Sequence, residues 1–385
     1  MAIFLTGVTG YIGSYVAHQL LTQFDDRLAV LVRAKSPEAA VQRLWKSLQL
    51  HMDFDTFAQH VHRFDIYLGD LTAPDLGLSP ERRKALVHSM DSVLHIAASL
   101  NRKSAKTCFN VNLRGTLSIL KLARDATDHH GLRRFSDVST VAVSGVRKDD
   151  VVSHEDMVQW DRSDYDPYAR TKKFCEHMVH ELLSDVPTTV FRPSTVLGDS
   201  RFAETTQFDM VRAFVALAYM RVLPLDPAWS FDICPADYVS RGIVQVHQSD
   251  KPKYDSYNLS SGRDSLTFRE IVDAVKAAGH KPLVRFAPRL GRTFERAIEL
   301  GMKTPRKFGL APAATLMKVF WPYLSNNTVF DNSHIVEHLG EKPTPFSTYA
   351  TPLLRFAVDT KFKYPYQEWP ADADERLKKL APKVA

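Results

Sequence analysis

Cysteine is scarce in this chain, with three in 385 residues. Cys108, Cys175 and Cys234 are scattered, with neither a CxxC pair nor metal-ligand spacing, so they read as buried free thiols. That excludes a disulfide framework, and no metal site is expected. Long apolar runs are also missing. No stretch reaches the roughly 18 uninterrupted apolar residues of a spanning helix, so no membrane span is expected. No basic leader with a cleavage site precedes the first apolar segment, and the expected location is cytoplasmic. Internal repeats, low-complexity tracts and flexible linkers are absent. What remains is a folded, globular composition, 44% hydrophobic and 24% charged. The length suits one large α/β domain with a smaller partner, or two domains of ordinary size.

Charge is unevenly distributed. Residues 251–320 hold 14 Lys and Arg against 6 Asp and Glu, while the whole chain carries only +6. This basic stretch either attracts a phosphate-bearing or acidic partner or forms a solvated face. Nothing in the pattern points to nucleic acid. His129 and His130 show no ligand spacing and read as surface residues.

Glycine is sparse too, at 16 residues, yet Gly7, Gly10 and Gly13 crowd into "TGVTGYIGS". The preceding "AIFL" has the length of a buried strand. The following "YVAHQLLTQF" places Val16, Leu20 and Leu21 on one side of a helix. A strand entering a helix through such a turn lets backbone N–H groups approach a diphosphate. Thr6, Gly7, Thr9, Gly10, Tyr11, Ile12 and Gly13 are therefore the candidate dinucleotide cradle. Strand-like runs recur at 27–32, 64–70, 92–98, 133–140 and 188–194, separated by helical stretches such as 37–49 and 115–126. This alternation predicts an α/β, Rossmann-type doubly wound parallel sheet, the context the glycine turn requires.

An NAD-binding chain carries an acidic residue about 20 residues after the glycines, at the end of the second strand. Here "LVRAKS" places Arg33 and Lys35 there, with no carboxylate before Glu38. Two cations suit a 2′-phosphate, so the expected cofactor is NADP(H). Asp70, with Leu71, follows the third strand on the expected adenine side. The small Ala97 and Ala98 let the cofactor lie against the backbone.

"YARTK" sets Tyr168 and Lys172 four apart, on one face of a helix. Tyr168 can protonate a carbonyl oxygen as hydride reaches its carbon. Lys172 is expected to lower the phenol's pKa and hold the nicotinamide ribose. The strand end "DVSTVAVSG" supplies Ser139 and Thr140 as candidate hydroxyls.

With these elements the chain resembles the extended short-chain dehydrogenases/reductases. The resemblance rests on Thr6 to Gly13, on Thr140 with Tyr168 and Lys172, and on "FRPSTVLG". It implies that Thr140 is the catalytic hydroxyl with Ser139 as neighbour, and that Asn112 supports Lys172 through water. It also implies that Pro193, Ser194 and Thr195 border the cofactor. Within that family the chain is most similar to NADP-dependent thioester reductases and fatty acyl reductases. "VLVRAKS", "LGDLTAPDLGLS", "LGDSR", "CPADYVSRGIV" and "WPYLSNNTVFDNSHI" carry that likeness.

The expected organisation is a cofactor-binding domain over 1–200, with 229–262 returning to it. A smaller, mostly helical substrate domain spans 201–385. The expected activity is NADPH-dependent reduction of an acyl thioester, bound to coenzyme A or an acyl carrier protein, to an aldehyde. Whether reduction continues to an alcohol stays open, as does the oligomeric state. The alternatives are reduction of a free lipophilic ketone or aldehyde, a nucleotide-sugar epimerase-like enzyme, and a cofactor sensor without turnover. Val141 and Ala142 follow Thr140 where a dehydratase of this family would carry an acidic pair, and a sensor would commonly lack the Tyr or the Lys.

Overall fold

The computed structural model describes residues 2–218, 220–277, 284–305, 310–377 and 383–384. Seven parallel strands form its main sheet: β1 (Ala2–Thr6), β2 (Arg27–Val32), β3 (Phe64–Leu68), β4 (Met90–His95), β5 (Arg134–Val138), β6 (Thr188–Pro193) and β7 (Ser256–Leu259). Their spatial order is β7-β6-β5-β4-β1-β2-β3, with the short strand Lys383–Val384 added beside β3. The order reverses between β1 and β4, and ligands bind at such a switch point, outside the carboxyl ends of the strands.

Helices cover both faces. One layer holds α1 (Tyr11–Gln23), α2 (Pro37–Leu48) and, from late in the chain, Ala236–Gln248. The other holds α3 (Pro80–Ser89), α4 (Gly115–His130) and α5 (Pro167–Leu182). Strand β1 shows why every second residue matters. Ile3 and Leu5 join the core beneath α1 and α2, whereas Ala2 and Phe4 join the core beneath α3 and α4. With both faces covered, the strand reads as an unbroken apolar run. Val16, Leu20 and Leu21 of α1 are all buried.

Helix starts follow their caps. Ser36 accepts from the Ala39 amide ahead of α2, and Asp166 accepts from the Ala169 amide at 2.9 Å ahead of α5. Each is followed by proline at the first helical position. Helix α1, by contrast, starts after an N-cap glycine, Gly10, and has no side-chain cap. Its first N–H groups are left for something else.

The segment 231–234 forms short ladders rather than a main-sheet strand: Ile233 and Cys234 pair with Thr195 and Val196. The chain rejoins the sheet later, at β7 beside β6. A second apolar core gathers residues from α6 (Asp209–Ala218), Phe268–Ala277, α10 (Leu310–Leu324) and Phe346–Asp359. Between these, α7 denotes Ala236–Gln248, α8 Phe268–Ala277 and α9 Gly291–Met302; α11 denotes Phe346–Asp359. Among the described residues, no helix is long and apolar enough to cross a membrane.

Two glycines of the turn are sterically required. Gly7 sits at φ +78°, and a Cβ there would lie 2.7 Å from the Ala97 amide nitrogen. A Cβ on Gly13 would lie 2.0 Å from the Gly7 carbonyl oxygen, so α1 docks on the turn only through a bare backbone. Gly13→Ala is expected to cost at least about 2 kcal/mol of stability through overpacking. Denaturant unfolding checks this, and an unchanged midpoint contradicts the tight fit.

Candidate active site

A cleft of about 890 Å³ opens above the carboxyl ends of the strands, between the sheet and the second core. At one end lies the glycine turn, with Thr6, Gly7, Thr9, Gly10, Tyr11, Ile12 and Gly13 all on the wall. The same wall carries Asp70, Leu71, Ala97, Ala98, Pro193, Ser194 and Thr195. An uncapped helix start beside glycines that tolerate no Cβ is the shape and charge a dinucleotide diphosphate requires, so the residues present fit that group.

Of the two cations expected beyond β2, only Arg33 lines the cleft. Lys35 is exposed and lies outside it, because the chain turns into α2 just after the strand. Arg43 of α2 stands there instead, donating to the Arg33 carbonyl at 2.7 Å. The Arg33 guanidinium also meets Asp70 at 3.5 Å. Asp70 accepts from both the amide and the hydroxyl of Thr72 at 2.8 Å, which fixes its loop.

At the other end Thr140, Tyr168 and Ser139 line the cleft. Tyr168 is buried on the first turn of α5, positioned by the Asp166 cap. Burial pushes its phenol above the ordinary value. The Lys172 and Arg102 charges and a hydrogen bond with Thr140 pull it down, against Asp166. The expected lowering by Lys172 is therefore present but outweighed by desolvation. Thr140 sits at the end of β5, where its hydroxyl oxygen also accepts from the Ala142 amide at 3.2 Å.

Lys172 lies one layer deeper than the cleft wall, buried, with Nζ 3.6 Å from Asp137 Oδ1 of β5. Ser139 is not free: its hydroxyl donates to Glu176 Oε1. Glu176, one turn beyond Lys172 on α5, is clasped by Arg192 of β6 at 2.8 Å through Nη2. Asn112 makes no direct hydrogen bond to Lys172. Its amide accepts from the Ser99 N–H at 2.7 Å and donates to the Thr171 hydroxyl at 3.1 Å, and its carbonyl receives the Cys175 thiol. It stands in a π-helical stretch, Phe109–Arg114, that leads into α4. His95 bridges Thr6 and Thr116 at 2.7 and 3.0 Å. Burial, with Lys172 nearby, pushes its pKa down to about 3, so it stays neutral.

Sequence reasoning passed over Arg43, Asp137, Glu176, Arg102, Tyr323 and Asp232. The signal for Glu176 was its position four after Lys172. Asp232 lines the cleft next to the strand 230–231, accepting from the Ser261 amide at 2.9 Å. Burial raises its pKa from 3.8 to about 6.

These features meet the comparisons with known proteins. The profile of the family described as male sterility protein matches residues 5–243. The chain belongs to this family and is a reductase-like extended short-chain dehydrogenase/reductase that binds a nicotinamide dinucleotide. It is similar to a component of the linear gramicidin synthase of Brevibacillus parabrevis, 28% identical over 72% of this chain and 5% of that one. It is also similar to aldehyde reductase lnaA of Aspergillus flavus, 25% identical over 89% of this chain and 34% of that one. The chain thus spans about a third or less of these curated relatives. The crystal structure of the terminal R domain from the myxalamid PKS-NRPS biosynthetic pathway shares the fold. Its TM-score is 0.78 and its identity 23%, over 94% of this chain and 91% of that one.

Asp232 yields a pH-dependent expectation. Its folded pKa lies above its unfolded one, so its contribution to stability is fully present below about pH 4 and lost as pH rises through about 6. Relative to Asp232→Asn, the native protein should lose roughly 3 kcal/mol of stability across that window. Denaturation of both proteins at several pH values reads the difference, and a flat difference contradicts the assignment.

Proposed function

We propose that the chain reduces an acyl thioester, carried on coenzyme A or an acyl carrier protein, to the aldehyde with NADPH. The observation that carries this reading is the pairing of two sites on one cleft. A phosphate-binding glycine turn flanked by Arg33 and Arg43 stands at one end, and Tyr168 with Thr140 at the other. When bound, the reduced nicotinamide supplies hydride.

Everything else falls to the chain. The turn from Thr6 to Gly13 holds the diphosphate, and Arg33 with Arg43 holds the 2′-phosphate. Thr140 and Tyr168 bind the carbonyl oxygen, and Tyr168 gives it a proton as the carbon is reduced. Lys172 keeps a positive charge under the phenol and reaches the ribose. The thiohemiacetal then expels its thiol to leave the aldehyde. The Asp137 and Glu176 carboxylates balance Lys172 and Arg192 in the dry layer below.

A division with the Rossmann half as cofactor domain and the remainder as substrate domain fits this chemistry. Phe320 and Tyr323 of α10 give the cleft an apolar rim suited to an acyl chain. Arg292 and Arg296 are exposed four apart on α9, with exposed Arg289 in the turn just before it, open to a phosphate-bearing carrier. Similarity to the terminal R domain from the myxalamid PKS-NRPS biosynthetic pathway and to an aldehyde reductase supports the same reading.

The test is NADPH consumption with octanoyl-CoA and with octanal. Thioester-dependent NADPH loss with aldehyde formation is expected, and NADPH binding without turnover on either would contradict the proposal. Tyr168→Phe should lower kcat by about 10²–10³ while NADPH affinity stays near wild type. Arg33→Ala and Arg43→Ala should each weaken NADPH about tenfold or more and leave NADH unchanged. Equal losses for both cofactors would remove the 2′-phosphate assignment.

A further inference from the structure

Arg102 follows β4 on the loop before Asn112 and lines the cleft. Its guanidinium carbon lies 5.2 Å from the ring centres of Tyr168 and Tyr323 and 5.8 Å from that of Phe320. Its Nε is 3.3 Å from Asp166 Oδ2. The same oxygen accepts the Tyr323 hydroxyl at 2.7 Å, and Tyr323 stacks on Tyr165 at 4.7 Å. The other Asp166 oxygen caps α5 at Ala169. One carboxylate therefore ties together the helix that carries Tyr168, the helix α10 of the second core, and a permanent cation over the tyrosine ring.

We propose that Arg102 is a positioning residue for Tyr168, a second cation that stabilises its phenolate after proton donation and that Asp166 and Tyr323 hold in place. The proposal rests on the reading of Tyr168 as the proton donor. In the reductive step the O–H bond of Tyr168 breaks and its proton bonds to the substrate oxygen. The electron pair stays on the phenol oxygen as the carbon takes up the hydride that a bound reduced nicotinamide would supply, and solvent later returns the proton.

A phenolate in a buried site is costly unless positive charge faces it. Lys172 supplies that charge from α5 and Arg102 from the loop after β4. The remaining groups facing the phenol are Thr140 after β5, Asp166 at the helix cap, and Tyr323, which reaches it through Arg102 and Asp166. Arginine suits the role because it remains charged at every working pH and its flat guanidinium packs on rings.

The test reads Tyr168 itself in free protein labelled with ¹³Cζ-tyrosine. Its resonance is the one missing from Tyr168→Phe. Loss of an opposite charge at this distance corresponds to about one pKa unit, hence about a tenfold smaller ionised fraction at a given alkaline pH. Arg102→Gln should show that loss, Arg102→Lys should recover most of it, and Tyr323→Phe should fall between wild type and Arg102→Gln. An ionised fraction unchanged in Arg102→Gln overturns the proposal, as does one that Arg102→Lys fails to restore. This titration needs no turnover. A chain that reduces no thioester yet shows the shift would sink the proposed activity and leave Arg102's influence on Tyr168 standing.

Discussion

The arrangement depends on a buried set of charges under the helix that carries Tyr168. Lys172 and Glu176 project from α5, Asp137 from β5 and Arg192 from β6, and all four are buried. Moving any one of them out of water alone costs several kcal/mol. They coexist because each cation faces a carboxylate, Lys172 with Asp137 and Arg192 with Glu176. Such a set contributes little net stability, yet it permits few geometries. Sliding α5 along the sheet would separate both pairs, so the set holds Tyr168 at the cleft wall. Ser139, whose hydroxyl is bonded into this layer, serves the same scaffold, and Thr140 is the strand-end hydroxyl that meets Tyr168.

Above that layer the cleft joins two surfaces with opposite requirements. The dinucleotide end needs bare backbone, which is why Gly7 and Gly13 have no room for a Cβ and why α1 begins without a side-chain cap. The end proposed to react needs hydroxyls and cations in a dry setting, delivered by the ends of β4 and β5, by α5 and by α10. Asp166 connects these parts by capping α5 while receiving Tyr323 from the second core. The chemistry proposed for the cleft is thus supported by residues from both halves of the chain.

Much of this was legible in the chain itself, for local reasons. Buried parallel strands read as continuous apolar runs, and "RLAVLV" coincides with β2. The glycine turn is encoded by spacing alone, and Tyr168 with Lys172 by helical periodicity. Contacts made at a distance were not legible. Arg43 is an ordinary helix-surface arginine until the fold brings it to the Arg33 carbonyl, whereas Lys35, nearer in sequence, points to solvent. Arg102 and Tyr323 come from distant segments and meet beside Asp166. Lys172 was read as lowering the phenol's pKa, but periodicity carries no information about desolvation, which dominates once Tyr168 is buried. That 256–259, within the stretch 229–262, pairs beside β6 likewise emerges only from the sheet.

The most direct measurement is a crystal structure of the chain with NADP⁺ bound. The account predicts the diphosphate against the start of α1 and the adenosine 2′-phosphate between Arg33 and Arg43. It further predicts the Lys172 ammonium at the nicotinamide ribose, and the Tyr168 hydroxyl near the reactive ring carbon with room for a carbonyl at about 3–3.5 Å. A cofactor seated with its nicotinamide away from Tyr168, or a Lys172 that remains turned to Asp137 without meeting the ribose, would contradict it.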